Sequence, residues 1–382
     1  MSKLYNIFIL GICLIKALFF GRADKRIGVP KSVLIIQRAQ IGDTICTTPM
    51  FSAIKKAHPT IRVLVGGKRS NAILLKNHPN IDEYIYFDEN FFEALSYFKK
   101  RNIDFACIAN PDFLGLAAAY LAGIKTISTP IVFDGYSPHE TITYRILRHF
   151  VIRIPLTMGT YAPRDRLHLL EPIGIKTDDT KKILTFNDES VVKVEKWLNA
   201  HGLINGRLLI GISLSAGNKI KEWPVERFAE VVKYLIERHG ADVVVVGSSQ
   251  EIDKAKEFFS LISSPNVYDA TGEFSLEELK AFIAKVSLFI SVDTGPIYIA
   301  EAFSVPTIDI LGPMDEREQP PVSAIHRVVF WKGRIAPAIH IMNTRVYDEK
   351  EVKRQIENIT VEMVINEIDD LIYSAPFSKK RF

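Results

Sequence analysis

Residues 288–302 read LFISVDTGPIYIAEA, an apolar run that stops at Asp293-Thr294-Gly295-Pro296 and resumes at once as another apolar segment. A short apolar run bounded by turn formers suits a buried strand, and Pro296 suits the first position of a helix whose N-cap is Thr294 or Gly295. The stretch therefore reads as strand, tight turn and helix. In open α/β sheets such turns lie at the carboxyl ends of the strands, where ligands bind, and a helix start brings unpaired N–H groups that favour an anion. The same residues also fit an ordinary strand-to-helix connection, so the surrounding chain has to decide.

Working outward, short apolar strands alternate with helical stretches from residue 33. VLIIQ (33–37) is followed by a helix from about Thr47 to His58, RVLVG (62–66), a helix near 69–78, YIYF, another helix and DFACIA. The polar KTDDTKK (176–182) interrupts the pattern. A second series then runs through LLIGISLS (208–215), a helix from Pro224 to about Arg238, DVVVVG (242–247), a helix from about Ile252, a strand near Val267, a helix from Ser275, and LFISV. Such alternation is the signature of βαβ units and a parallel sheet. The expected class is α/β, with two doubly wound, Rossmann-like domains at 29–180 and 181–382 after an apolar segment at 1–28. Two such domains in tandem are expected to face each other across a cleft lined by the turns after the strands.

The chain has 382 residues, 47% apolar and 24% charged, enough for two cores of ordinary size. A net charge of +4, from 48 basic and 44 acidic residues, is too slight to imply nucleic-acid binding. The three cysteines, Cys13, Cys46 and Cys107, form no CxxC, so neither a disulfide framework nor a zinc site is indicated and a reducing cytosol fits. Leu4 to Phe20 is almost wholly apolar, yet it carries Asn6 and Lys16 and falls short of the roughly 20 apolar residues of a spanning helix. Followed by Arg22, Lys25 and Arg26, it is expected to be an interfacial or weakly inserted helix rather than a signal peptide or a helix that simply packs on the protein.

Three turns stand out. In QRAQIGDTICTTP (37–49), Gly42 permits a close turn, and Asp43 either caps the following helix or projects into the cleft as a base, with Arg38 as a nearby positive charge. In SLSAGNKIKEWPVERF (213–228), a Ser/Gly/Asn-rich loop with Lys219 and Lys221 follows a strand end and precedes a helix start, an arrangement that gathers phosphate. The third is the opening stretch. There is no Walker loop, GxGxxG, HExxH, DxD or GxSxG, which argues against P-loop kinases, dinucleotide dehydrogenases, zincins, metal-dependent sugar transferases and serine hydrolases.

Taken together, VLIIQRAQIGDTICTTPMFSAIKKAHP, LSAGNKIKEWPVERFAEVV and DATGEFSLEELKAFIAKVSLFISVDTGPIYIAEAFSVPTIDILGP resemble glycosyltransferase family 9, the ADP-heptose:lipopolysaccharide heptosyltransferases. The resemblance implies a GT-B fold, with the acceptor on the N-terminal domain and the nucleotide diphosphate sugar on the C-terminal one. It also implies an inverting transfer, heptose foremost, to a lipopolysaccharide core or related glycolipid, with no metal and no cofactor. Asp43 matches the family's base and Lys221 its phosphate-binding lysine. Asp293, Thr294 and Gly295 match the donor loop, with the helix opened by Pro296 holding the diphosphate. Ser213, Ser215, Gly247 and Glu251 lie on neighbouring loops as further nucleotide contacts, and Arg38 and Gly42 sit on the acceptor side.

Two positions depart from the family pattern: Tyr298 stands where a histidine is common, and Gln37 where a basic residue is usual. Both bear on which sugar is moved, and they leave a non-catalytic nucleotide-sugar-binding paralogue as the alternative. An epimerase on the same fold would need acidic and histidine groups around the sugar that the donor block lacks. Because the family's acceptors sit on lipid, the segment 130–170 is expected to bind an anionic glycolipid, mixing Tyr136, Tyr144, Phe150 and Tyr161 with Arg145, Arg148, Arg153, Arg164 and Arg166. The expected location is the cytoplasm, peripheral on the inner face of the cytoplasmic membrane.

Overall fold

Six-residue runs such as SVLIIQ and DVVVVG leave almost nothing exposed along their length, as strands of a parallel sheet covered on both faces must. The computed structural model describes residues 3–24, 28–88, 90–204 and 206–374; Lys25 and Arg26 of the basic stretch lie outside the described residues. The chain divides into two compact units, Met1–Ile183 and Leu184–Phe382. The first holds β1 (Ser32–Gln37), β2 (Arg62–Gly67), β3 (Glu83–Tyr86), β4 (Phe105–Ile108), β5 (Thr126–Phe133) and β6 (Ile152–Thr157). The second holds β7 (Leu209–Ser213), β8 (Asp242–Gly247), β9 (Val267–Thr271), β10 (Leu288–Val292), β11 (Thr307–Ile310) and β12 (His326–Val329).

Both sheets are parallel and share one plan, with orders β3-β2-β1-β4-β5-β6 and β12-β11-β10-β7-β8-β9. Each is the doubly wound, Rossmann-like arrangement in which strand order reverses beside the first strand. The reversal leaves a crevice beyond the carboxyl ends of β1 and β4 in one unit, and of β7 and β10 in the other. Register fixes what borders each crevice: Ile36 pairs with Ile108, and Ser213 with Ser291.

Some elements differ from the sequence reading. The helix expected near 69–78 is only Arg69–Ala72, and Asn77 follows in the left-handed region at φ 59°. The helix near Thr47 starts at Thr48, preceded by a separate short helix, Ile41–Ile45. β5 and β6 carry Pro130 and Pro155, which break a strand signature, and extend the first series beyond DFACIA.

The N-terminal helix Lys3–Phe20 has two apolar faces. Ile9, Leu10 and Cys13 are buried in the first unit's core, and the helix packs on Phe113–Leu121, whose alanines permit close approach. Leu4, Ile7, Phe8, Ile15, Leu18 and Phe19 are exposed. Lys16, the polar interruption, has a structural explanation: its ammonium donates to the carbonyls of Tyr120 (2.6 Å) and Leu121 (3.2 Å) at the carboxyl end of Phe113–Leu121, where a cation is favoured. Burial lowers its pKa. Among the described residues, no helix is long and apolar enough to cross a membrane.

Candidate active site

At the reversal point of the first sheet, β1 ends at Gln37 and the chain enters the helix Ile41–Ile45 with Gln40, not Asp43, at its N-cap. Gly42 is buried in that turn. The carboxylate of Asp43 instead accepts from a residue far along the chain: Arg166 Nη2 reaches Oδ1 at 2.7 Å. The same nitrogen donates to Asn110 Oδ1 at 3.1 Å, just beyond β4. Asn110 Nδ2 donates to Gln37 Oε1 (3.0 Å), Gln37 Nε2 to Thr47 Oγ1 (2.8 Å), and Thr47 Oγ1 to the main-chain oxygen of Asp43 (2.8 Å). A closed ring of hydrogen bonds thus holds Asp43 by both its carboxylate and its backbone. Gln37, which stands where a basic residue is usual, is a link of that ring, and Arg166 brings the positive charge from elsewhere. Among the described residues nothing bonds to Asp43 Oδ2, and the side chain keeps 26% of its surface exposed.

Arg38 is fully occupied on neighbouring loops. Its guanidinium donates to the carbonyls of Phe87 and Asp88, pairs with Asp112 at 3.0 Å and lies 4.2 Å from the centre of the Phe87 ring. It ties the loop after β1 to the loops after β3 and β4.

In the second unit, β10 ends at Val292 and the helix Gly295–Ala302 begins with Thr294 as N-cap and Pro296 in its first turn. Asp293 is buried, whereas Thr294, Gly295 and Pro296 are half-buried. Lys221, from the single turn Lys219–Lys221 after β7, donates to Asp293 Oδ2 at 2.8 Å, and the Tyr298 hydroxyl bonds to Oδ1. Asp293 therefore aims Lys221 beside the helix start, and Tyr298, in place of a histidine, braces the same carboxylate. Lys219 is exposed. Behind them lies a carboxyl that sequence reading missed. Asp309, on β11 between Ser291 and Val328, is completely buried, and among the described residues neither of its oxygens has a hydrogen bond. Burial first, then the charges of Asp293 and Glu301, raise its pKa well above the ordinary carboxyl value against the pull of Lys221.

Ser213 closes β7 and is buried. Ser215, Gly247 and Glu251 line one small pocket with Lys254 and Thr271 at the carboxyl ends of β7, β8 and β9. Glu251 also closes a capping box, accepting from the Ser248 N–H at 2.5 Å. The aromatic and arginine side chains of segment 130–170 are divided between core and surface. Tyr144 and Arg166 are buried, and Arg148 pairs with Glu140; Tyr136, Arg145, Arg153 and Arg164 are exposed.

Asp315, Glu318 and His340 each bring one potential ligand atom within 4.8 Å of the others. Hydrogen bonds to Asp315 and Glu318 raise the His340 pKa to about 9. Burial opposes ionisation of Asp315, but His340 and Arg317 outweigh it and hold the carboxyl far below its usual range. The three form an ion-pair knot that ties Pro313–Glu318 to the segment around His340.

The model of glycosyltransferase family 9 (heptosyltransferase) matches residues 165–344. Lipopolysaccharide heptosyltransferase 3 of Escherichia coli is 24% identical over 304 residues, 76% of this chain and 86% of that protein. A family 9 glycosyltransferase from Veillonella parvula has the same fold (TM-score 0.73, 20% identity, 90% of this chain and 98% of that one). So does the structure described as E. coli ADP-heptose lps heptosyltransferase II (TM-score 0.68, 18% identity, 89% and 98%). The fold is GT-B, built from two Rossmann-like domains. Residues 165–344 thus carry a match to glycosyltransferase family 9, and the chain as a whole is similar to the heptosyltransferase-like glycosyltransferases of that family.

Proposed function

We propose that the protein moves a heptose from ADP-heptose to a lipopolysaccharide core or related surface glycan, inverting the anomeric centre without a metal. The relatives named for that donor and that acceptor motivate the substrates. The observation that carries the chemistry is a pair of fixed charges. Asp43 holds one carboxylate oxygen unbonded beyond β1, and Lys221 is aimed by Asp293 beside a helix start beyond β10. Residues 29–180 take the acceptor and 181–382 the donor.

Asp43 Oδ2 accepts the proton of the acceptor hydroxyl as its oxygen attacks the anomeric carbon opposite the diphosphate. The bond to the diphosphate breaks with its electron pair, and a single displacement leaves the centre inverted. Lys221 and the opening turn of Gly295–Ala302 stabilise the departing charge, the task a divalent ion performs elsewhere. Thr294, Gly295, Pro296 and Tyr298 border the diphosphate, and Ser213, Ser215, Gly247 and Glu251 the nucleotide. Arg38 and Gly42 act by shaping the loop that carries Asp43.

The test is transfer from ADP-heptose to a heptose-deficient lipopolysaccharide in excess chelator, with the anomeric configuration of the product read by NMR. The expected product has the configuration opposite to the donor's; retention, or loss of transfer with chelator, overturns the mechanism. Donor binding with neither transfer nor slow donor hydrolysis would instead favour a non-catalytic nucleotide-sugar-binding paralogue.

Contact with the inner face of the cytoplasmic membrane belongs to the same proposal. It is supported by the outer apolar face of Lys3–Phe20, flanked by Lys3 and Arg22. Full-length protein should pellet with membranes at low salt, and a chain lacking residues 1–26 should not. Equal distribution of the two would remove this element.

A further inference from the structure

Arg166 is the most deeply buried guanidinium of the first unit, 1% exposed, on the short helix Ala162–Leu167. A buried arginine ordinarily spends its donors on several acceptors. Here Nη2 serves both Asp43 Oδ1 and Asn110 Oδ1, while Nε and Nη1 are buried with no partner among the described residues. Stability alone does not explain the arrangement, because buried unpaired donors are costly and an apolar side chain would fill the same space. The position of the one nitrogen that does bond is the informative feature. It holds Oδ1 of Asp43, and the ring through Asn110, Gln37 and Thr47 returns to the backbone of the same residue. The carboxylate is thereby fixed in rotation with Oδ2 left over.

We propose that Arg166 is the positioning residue of the transfer reaction: it locks Asp43 through Oδ1 so that Oδ2 alone receives the acceptor proton. This rests on the reading of Asp43 as base. A base misplaced by about 1 Å costs on the order of 100-fold in rate, because the reacting oxygen must be aligned when the proton leaves. At 1% exposed Arg166 has almost no surface to offer a substrate, so its effect should appear in kcat and not in donor binding.

The experiment compares Arg166→Gln, Arg166→Lys, Asp43→Asn and the double variant Arg166→Gln/Asp43→Asn for kcat, donor Kd and melting temperature. Arg166→Gln should lose about 10- to 100-fold in kcat with donor Kd unchanged, and Arg166→Lys should recover part of it. The double variant should be no slower than Asp43→Asn, since a positioning residue has nothing to act on once the base is gone. Losses that multiply in the double variant, or full kcat in folded Arg166→Gln, overturn the proposal. Normal turnover in Asp43→Asn would instead sink the base assignment. Should the Arg166 variants fail to fold, Asn110→Ala opens the same ring without removing a buried charge. A lower kcat at unchanged donor Kd then supports the proposal, and an unchanged kcat overturns it.

Discussion

The two sheets have one topology and opposite polarity at their reversal points. The first unit buries a cation with donors to spare, Arg166, against one half-open carboxylate. The second buries a carboxyl with acceptors to spare, Asp309, behind a carboxylate that aims one ammonium. A doubly wound sheet supplies the same crevice in both cases, so the difference in chemistry comes wholly from which charge the loops bring to it. Proton removal needs an ionised carboxylate held in place, whereas a departing diphosphate needs a cation held in place. Under the proposed mechanism, each unit buries the partner that holds its working group.

The largest expected effect removes the working group of the first unit. Asp43→Asn keeps a hydrogen-bond acceptor for Arg166 but abolishes the basicity, so turnover should fall about 100- to 10,000-fold while donor affinity survives. Because Asp43 faces a buried guanidinium and does not cap its helix, stability should also drop, by about 1–3 kcal/mol. Parallel measurement of turnover, donor Kd and melting temperature separates the two effects. Near-normal turnover would break the comparison at its first half.

How much of this was legible in sequence follows from chain distance. VLIIQ, LLIGISLS and LFISV stop at turn-forming residues, so the strand ends carrying Asp43, Lys221 and Asp293 to Gly295 could be located from local pattern alone. The ring around Asp43 could not, because Arg166 lies 123 residues away, within a run of arginines that reads as surface. Asp309 was hidden for a different reason: in TIDIL, Thr307 and Asp309 alternate with apolar residues like the solvent side of an alternating strand, and only a covered sheet buries them. The two prolines of β5 and β6 concealed strands by the same local logic that revealed the others.

The second unit is tested through its cation. Lys221→Ala removes the ammonium and leaves Asp293 buried beside Asp309 without its positive partner, so donor affinity and transfer should weaken together. Loss of a charge-assisted contact suggests about 1.5–3 kcal/mol, roughly 10- to 150-fold in kcat/KM. Donor titration beside steady-state kinetics provides the check. An effect on kcat with donor Kd unchanged would mean that Lys221 acts only in the transition state, which sharpens the comparison; unchanged values of both would remove Lys221 from the site.

The smallest expected effect probes the buried carboxyl itself. Asp309 is faced by Asp293, Glu301 and Lys221, with Ser291 and Val328 beside it on the neighbouring strands, and Ser291 Oγ donates to the Val292 carbonyl instead of to it. Its folded pKa lies above the unfolded value of about 3.9, so the fold binds this proton more tightly than the unfolded chain does. The stability it contributes is therefore complete below the unfolded pKa and is lost as pH rises through the folded one. Asp309→Asn is neutral at every pH and close in shape. Against wild type, the variant should gain relative stability as pH rises above the unfolded carboxyl pKa, with a larger advantage at pH 8 than at pH 5, read from melting temperatures at the two pH values. A variant that is destabilised, and more so at pH 8 than at pH 5, would mean that Asp309 works as an ionised, hydrogen-bonded carboxylate like Asp43, and the contrast between the two units would fail.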